Sequence, residues 1–127
     1  MMAKINPYVF PGLHPIDRKI IGTLDDETIE MVNKTMIETA KAFGISVTEL
    51  KSKKRSQPIP TAKRVYINLL HLNLSIHQNT IARTLDMDRT SILHHIKNHW
   101  NDMRFYPLYQ KGYNKALKEI FMDHETT

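Results

Sequence analysis

The stretch Met87-Asp88-Arg89-Thr90-Ser91-Ile92-Leu93-His94-His95-Ile96 places an acid, a guanidinium and two hydroxyls directly ahead of an apolar run. These groups are suited to two kinds of chemistry. An aspartate before a helix accepts hydrogen bonds from the free N–H groups of the first turn, a role that needs no ligand. Arginine and threonine on that first turn can instead meet base edges in a DNA major groove, arginine pairing bidentately with guanine and threonine touching a thymine methyl. The cap accounts for Asp88. It does not account for Arg89, Thr90 and Ser91, or for an outward side that continues with His94, Lys97 and Asn98 where an ordinary solvated helix carries a mixture of Glu and Lys.

The charge distribution points to the same kind of partner. The net charge of +5 is concentrated in the middle of the chain: residues 50–104 carry ten basic and three acidic side chains, whereas residues 1–49 carry five and seven. From Leu50 to Leu85 there are seven Lys or Arg and no acid, so this segment has nothing to neutralise it locally and presents a positive field to a polyanion.

The elements that must hold these groups are helical. Ile29, Val32, Met36, Ala40 and Phe43 recur at spacings of three and four, which predicts a helix over residues 27–43 with Asp25, Asp26 and Glu27 at its positive end and Gly44 at its C-cap. Ser46 and Glu49 have capping-box spacing for a short helix, followed by the basic loop from Lys51 to Pro60. Periodicity resumes through Ala62, Val65, Tyr66, Leu69 and Leu72. Two short helical patterns then lie about three residues apart, the spacing of a helix-turn-helix over roughly residues 77–100. The first buries Ile81, Ala82 and Leu85; the second is expected to bury Ile92, Leu93, Ile96 and Trp100. A last helix starts near Pro107 and buries Tyr109, Tyr113, Ala116, Ile120 and Phe121. The class is all-α, one helical domain over residues 25–127, preceded over residues 1–24 by an extended arm in which Pro7, Pro11 and Pro15 deny any helix its interior.

Two of these segments carry a family resemblance. Leu50 to Arg64, LKSKKRSQPIPTAKR, is similar to the Leu-x-Ser-Lys basic loop and helix entrance of the C-terminal DNA-binding domain of the bacterial replication initiator DnaA. Met87 to Ile96, MDRTSILHHI, resembles that family's Asp-His-Thr-Thr-Val-Leu-His signature. The resemblance spans roughly residues 35–100 and implies a Trp-repressor-like helix-turn-helix. It further implies that Asp88, Arg89 and Thr90 read the major groove, with Ser91 and His94 beside them near the phosphates and Gln78 and Asn79 touching the backbone. Lys53, Lys54 and Arg55 would line the basic loop, and Lys63 and Arg64 the helix entrance. Lys97, on the outward face, joins them as a phosphate contact. The sequence departs from the family at three places. Arg89 replaces a histidine, Asp86 and Met87 stand where the family has Gly-Gly-Arg, and Thr61 occupies the place of a minor-groove arginine.

Other functions find little in the sequence to carry them. With no cysteine there is no disulfide framework or thiolate metal site, and a reducing compartment is expected. His95 and His99 have the i, i+4 spacing of a helical metal pair, but no acid or cysteine completes a ligand set, so packing histidines and no cofactor are expected. No nucleophile sits in a catalytic constellation. No Gly-x-x-x-x-Gly-Lys-Ser/Thr loop is present, so duplex binding without unaided melting is the expectation. No apolar run approaches membrane-spanning length and the first residues lack a secretory signal's apolar stretch, which predicts a cytoplasmic protein. The expected partner is double-stranded DNA. The alternative is a protein-interaction or virion component that reuses the helical fold, with Tyr8, Val9 and Phe10 in the arm docking on another protein.

Overall fold

A computed structural model describes residues 26–121, so the proline-spaced arm and its apolar cluster lie outside the described residues. Helix α1, Asp26–Ala42, opens on two acids and buries Val32, Met36 and Ala40 along one face. Gly44 ends it with φ +69, a left-handed backbone that costs glycine little, and the Ile45 amide donates back to the Ala40 carbonyl at 3.0 Å. Helix α2, Val47–Lys51, has the capping box that its sequence predicts: the Glu49 amide donates to Ser46 Oγ and the Ser46 amide to Glu49 Oε1, both at 3.0 Å.

Helix α3, Ile59–Asn68, is the centre of the fold. Ala62, Tyr66, Ile67 and Leu70 join Val32, Met36, Leu50, Ile81, Leu85 and Ile92 in one apolar cluster, while Val65 and Leu69 face Tyr109, Tyr113, Ala116 and Ile120 in a second. Each large aliphatic side chain removed from water here stabilises the fold by roughly 1.5–3 kcal/mol. Helix α4, Gln78–Leu85, and helix α5, Arg89–Lys97, form the helix-turn-helix. They are docked on α3 through Ile81, Leu85 and Ile92, and through the Tyr66 hydroxyl, which donates to Thr84 Oγ1 at 2.8 Å. Helix α6, His99–Phe105, follows almost without interruption, and helix α7, Pro107–Phe121, closes the second cluster against α1 and α3. Gly112 permits that closure, because a Cβ there would collide with the ring of Phe43.

The all-α class agrees with the expectation from sequence, and among the described residues no helix is long and apolar enough to cross a membrane. Three apolar positions do not sit where their periodicity predicts. Leu72 is 41% exposed because α3 runs into a π-helical turn, Leu69–Asn73, whose wider winding moves it off the buried face. Leu93 and Trp100 are also exposed, Trp100 by 68%. The core side of α5 and α6 runs through Ile92 and half-buried Ile96 and continues with His95, His99 and Asp102; the packing of the two histidines agrees with the expectation from sequence, and the inward turn of Asp102 has no counterpart in it. The polar residues turn inward because partners await them. His99 Nδ1 lies 2.7 Å from the Tyr109 hydroxyl, and His95 and Asp102 both meet Arg64.

Candidate nucleic-acid interface

Asp88 is the N-cap of α5: its Oδ1 accepts the Ser91 amide at 2.7 Å. Hydrogen bonds from Ser91 hold the carboxyl below its ordinary pKa, with the Lys53 charge assisting, so Asp88 stays ionised on the cap. With that orphan amide satisfied, the exposed side chains of Arg89 and Thr90 project from the first turn with no role in closing it.

Beside this turn lies a groove of about 900 Å³ with two walls. One is the basic loop and the start of α3, contributing Lys53, Lys54, Arg55, Pro60, Lys63 and Arg64; the other is the turn and α5, contributing Asp86, Met87, Asp88, Thr90, Ser91, His94 and His95. The fold therefore brings together two segments distant in sequence, the basic loop and the predicted reading turn, with Lys53, Lys54 and Arg55 more than thirty residues from Asp86. Gln78 and Asn79 open α4, where His77 Nδ1 accepts the Asn79 amide at 3.0 Å, and they do not line the groove. Arg89 stands just outside it on the exposed first turn, and Lys97 is exposed at the far end of α5.

Three residues with predicted DNA contacts are engaged inside the protein. Lys63 is only 8% exposed and its ammonium donates to the Ser52 carbonyl; burial, then the Lys53 charge, lowers its pKa. Arg64 makes an ion pair with Asp102 and donates through Nε to His95 Nδ1 at 3.0 Å. Thr61 is buried, with its hydroxyl donating to Gln57 Oε1 at 2.6 Å. Helix amphipathicity could not separate these cations from solvated ones, because their internal partners come from segments distant in sequence. Asp102 was the legible hint: it is one of only three acids in residues 50–104.

Arg64 is always a donor, so the bond it makes fixes His95 as the neutral tautomer with its proton on Nε2. Asn68 Nδ2 donates to the carbonyls of both Arg64 and His95, which ties α3 to α5 a second time. Burial, reinforced by the Arg64 guanidinium, pushes the His95 pKa down to about 4 from 6.5. Between those values the unfolded chain takes up a proton that the folded chain refuses. Stability is therefore complete above about pH 6.5 and declines as the pH falls toward 4, by about 2 kcal/mol for this half-buried group. His95→Gln keeps an acceptor for Arg64 and removes the titration, so its melting temperature should fall less than that of the wild type between pH 7 and pH 4.5. Equal losses in the two proteins would remove His95 from the account.

A capped helix aimed outward from a tight turn, braced on a helical core beside a basic groove, defines a DNA-binding helix-turn-helix domain. The family model for the bacterial DnaA protein helix-turn-helix matches residues 32–98, and the chain belongs to that family. The family's domain binds double-stranded DNA. Comparison with curated proteins and with solved structures gave no match.

Proposed function

We propose that this chain reads a specific duplex sequence, with α5 in the major groove and the basic loop on the flanking backbone. The observation that carries the reading is the position of Arg89 and Thr90 on a first turn already closed by Asp88, next to a groove walled by Lys54 and Arg55. Base contacts would come from Arg89 and Thr90, with Asp88 able to accept from a cytosine amino group and Ser91 and His94 facing the adjacent phosphates. Because Arg89 replaces the family's histidine, the preferred site would differ from the initiator's own. The process served is control of replication or transcription of a bacterial, phage or mobile-element genome, in the cytoplasm or nucleoid.

Selection from a random duplex library tests this reading. An enriched sequence should emerge that binds at least about 10³-fold more tightly than a scrambled duplex at physiological salt. A library that yields no enriched sequence would overturn it. One observation favours the protein-interaction alternative: Trp100 and Phe105 are 68% and 70% exposed, more than a solvated surface usually leaves of two such rings. A stable oligomer indifferent to DNA would support that alternative.

A further inference from the structure

Lys53 and Lys54 are neighbours in a run of loop cations, and sequence gives no means of telling them apart. In the folded chain they differ. Both are exposed in the groove wall, as Arg55 is, but Lys53 Nζ also donates to the Asp86 main-chain carbonyl at 2.6 Å. The acceptor occupies a particular place. Asp86 follows α4 in the left-handed region, with φ 55, a conformation that side-chain-bearing residues adopt uncommonly. Its amide donates to the Arg83 carbonyl at 3.3 Å and the Met87 amide to the Ala82 carbonyl at 2.9 Å. Asp86 is thus the pivot where the chain leaves α4 and turns toward Asp88 and α5.

The loop is held at the neighbouring residue as well. The Ser52 carbonyl accepts from Lys63, and the Ser52 hydroxyl donates to the Glu49 carbonyl at 2.7 Å. Ser52 and Lys53 are consecutive, so the start of the loop is tied at once to α2, to α3 and to the turn, and Lys54 and Arg55 follow directly on that fixed point.

The geometry points to Lys53 as a positioning residue: its ammonium joins the basic loop to the helix-turn-helix pivot and sets the spacing between the phosphate-facing cations and the base-reading turn before DNA arrives. This inference rests on the sequence-reading function proposed above. Fixed spacing lowers the ordering cost of binding, and the gain is felt only on a duplex where both halves engage together. A lysine on phosphate behaves differently, since it strengthens binding to every duplex and adds ~0.9 to the salt slope.

Lys53→Met and Lys54→Met make the same charge change and keep the aliphatic stem, so comparing them separates the two roles. Lys53→Met should lower affinity for the selected duplex by roughly threefold to tenfold while leaving the scrambled duplex and the salt slope nearly unchanged. Lys54→Met should weaken both duplexes and shallow the slope by ~0.9. In the protein without DNA, backbone amide order parameters at Lys54, Arg55 and Met87 should fall in Lys53→Met and hold in Lys54→Met. Lys53→Arg, which keeps a donor, should restore the preference. A Lys53→Met protein that mirrors Lys54→Met in slope, or whose order parameters do not move, overturns the positioning role. A wild-type protein that prefers no duplex overturns the sequence-reading function instead, and the order parameters then report on the clamp by themselves.

Discussion

Raising salt from 50 to 200 mM should weaken duplex binding roughly fortyfold, with a log-log slope of about −2.7. The figure follows from where the cations sit. Read from sequence, Lys53, Lys54, Arg55, Lys63, Arg64 and Lys97 could all neutralise phosphates, and six such contacts at ~0.9 each give a slope near −5.4 and a loss of roughly 2,000-fold. The structure engages Lys63 with the Ser52 carbonyl, Arg64 with Asp102 and His95, and Lys53 with the Asp86 carbonyl. Lys53 is exposed but already holds the Asp86 carbonyl, which leaves Lys54, Arg55 and Lys97 for phosphate. The two slopes differ by a factor of two, well within what titration at four or five salt concentrations resolves. A slope near −5 would mean that the engaged cations, exposed Lys53 included, also meet phosphate on binding, and a flat response would sink the electrostatic account of affinity altogether.

The difference between those two slopes also marks the boundary of what the sequence makes legible. Periodicity predicts the helices that have a strong apolar face, α1, α3 and α7, and short-range hydrogen-bond chemistry predicts the capping box at Ser46 and the cap at Asp88. Each of those signals lies within one or two helical turns. The partners of Lys63, Arg64 and Lys53 lie 11, 38 and 33 residues away, and apart from the scarcity of acids that sets Asp102 off, nothing in the sequence announces them. The same limit explains Trp100. Hydrophobicity places the indole inward, yet the core side of α6 is occupied by His99 against Tyr109 and by Asp102 against Arg64, polar residues made inexpensive to bury by partners on other helices. The exposed first turn that carries Arg89 and Thr90, the positions proposed to read bases, was legible because the cap and the residues beyond it are contiguous; the groove beside it was not, because its opposite wall comes from the loop before α3.

Arg89→Ala should cost about 1 to 3 kcal/mol on the selected duplex, a loss of roughly 5- to 150-fold, and much less on a scrambled one, so that the preference itself collapses. The expectation rests on what the first turn of α5 leaves unengaged. The Ser91 amide is satisfied by Asp88, Ile92 holds the helix in the core, and the Arg89 side chain is exposed outside both arrangements. A guanidinium so placed can align two donors with guanine O6 and N7, a match that a wrong base does not offer. Lys54→Ala supplies the contrast. From the loop wall its ammonium meets phosphate whatever the sequence, so its removal should lower both affinities by a similar factor and shallow the salt slope by ~0.9. Neither side chain belongs to the apolar clusters, and the melting temperatures of both variants should stay close to that of the wild type. Titrating each variant against both duplexes, with melting measured alongside, separates reading from attraction. If Arg89→Ala lowers the two affinities equally, residues 88–91 are a capped helix end beside a basic patch, and sequence reading by this turn has to be abandoned.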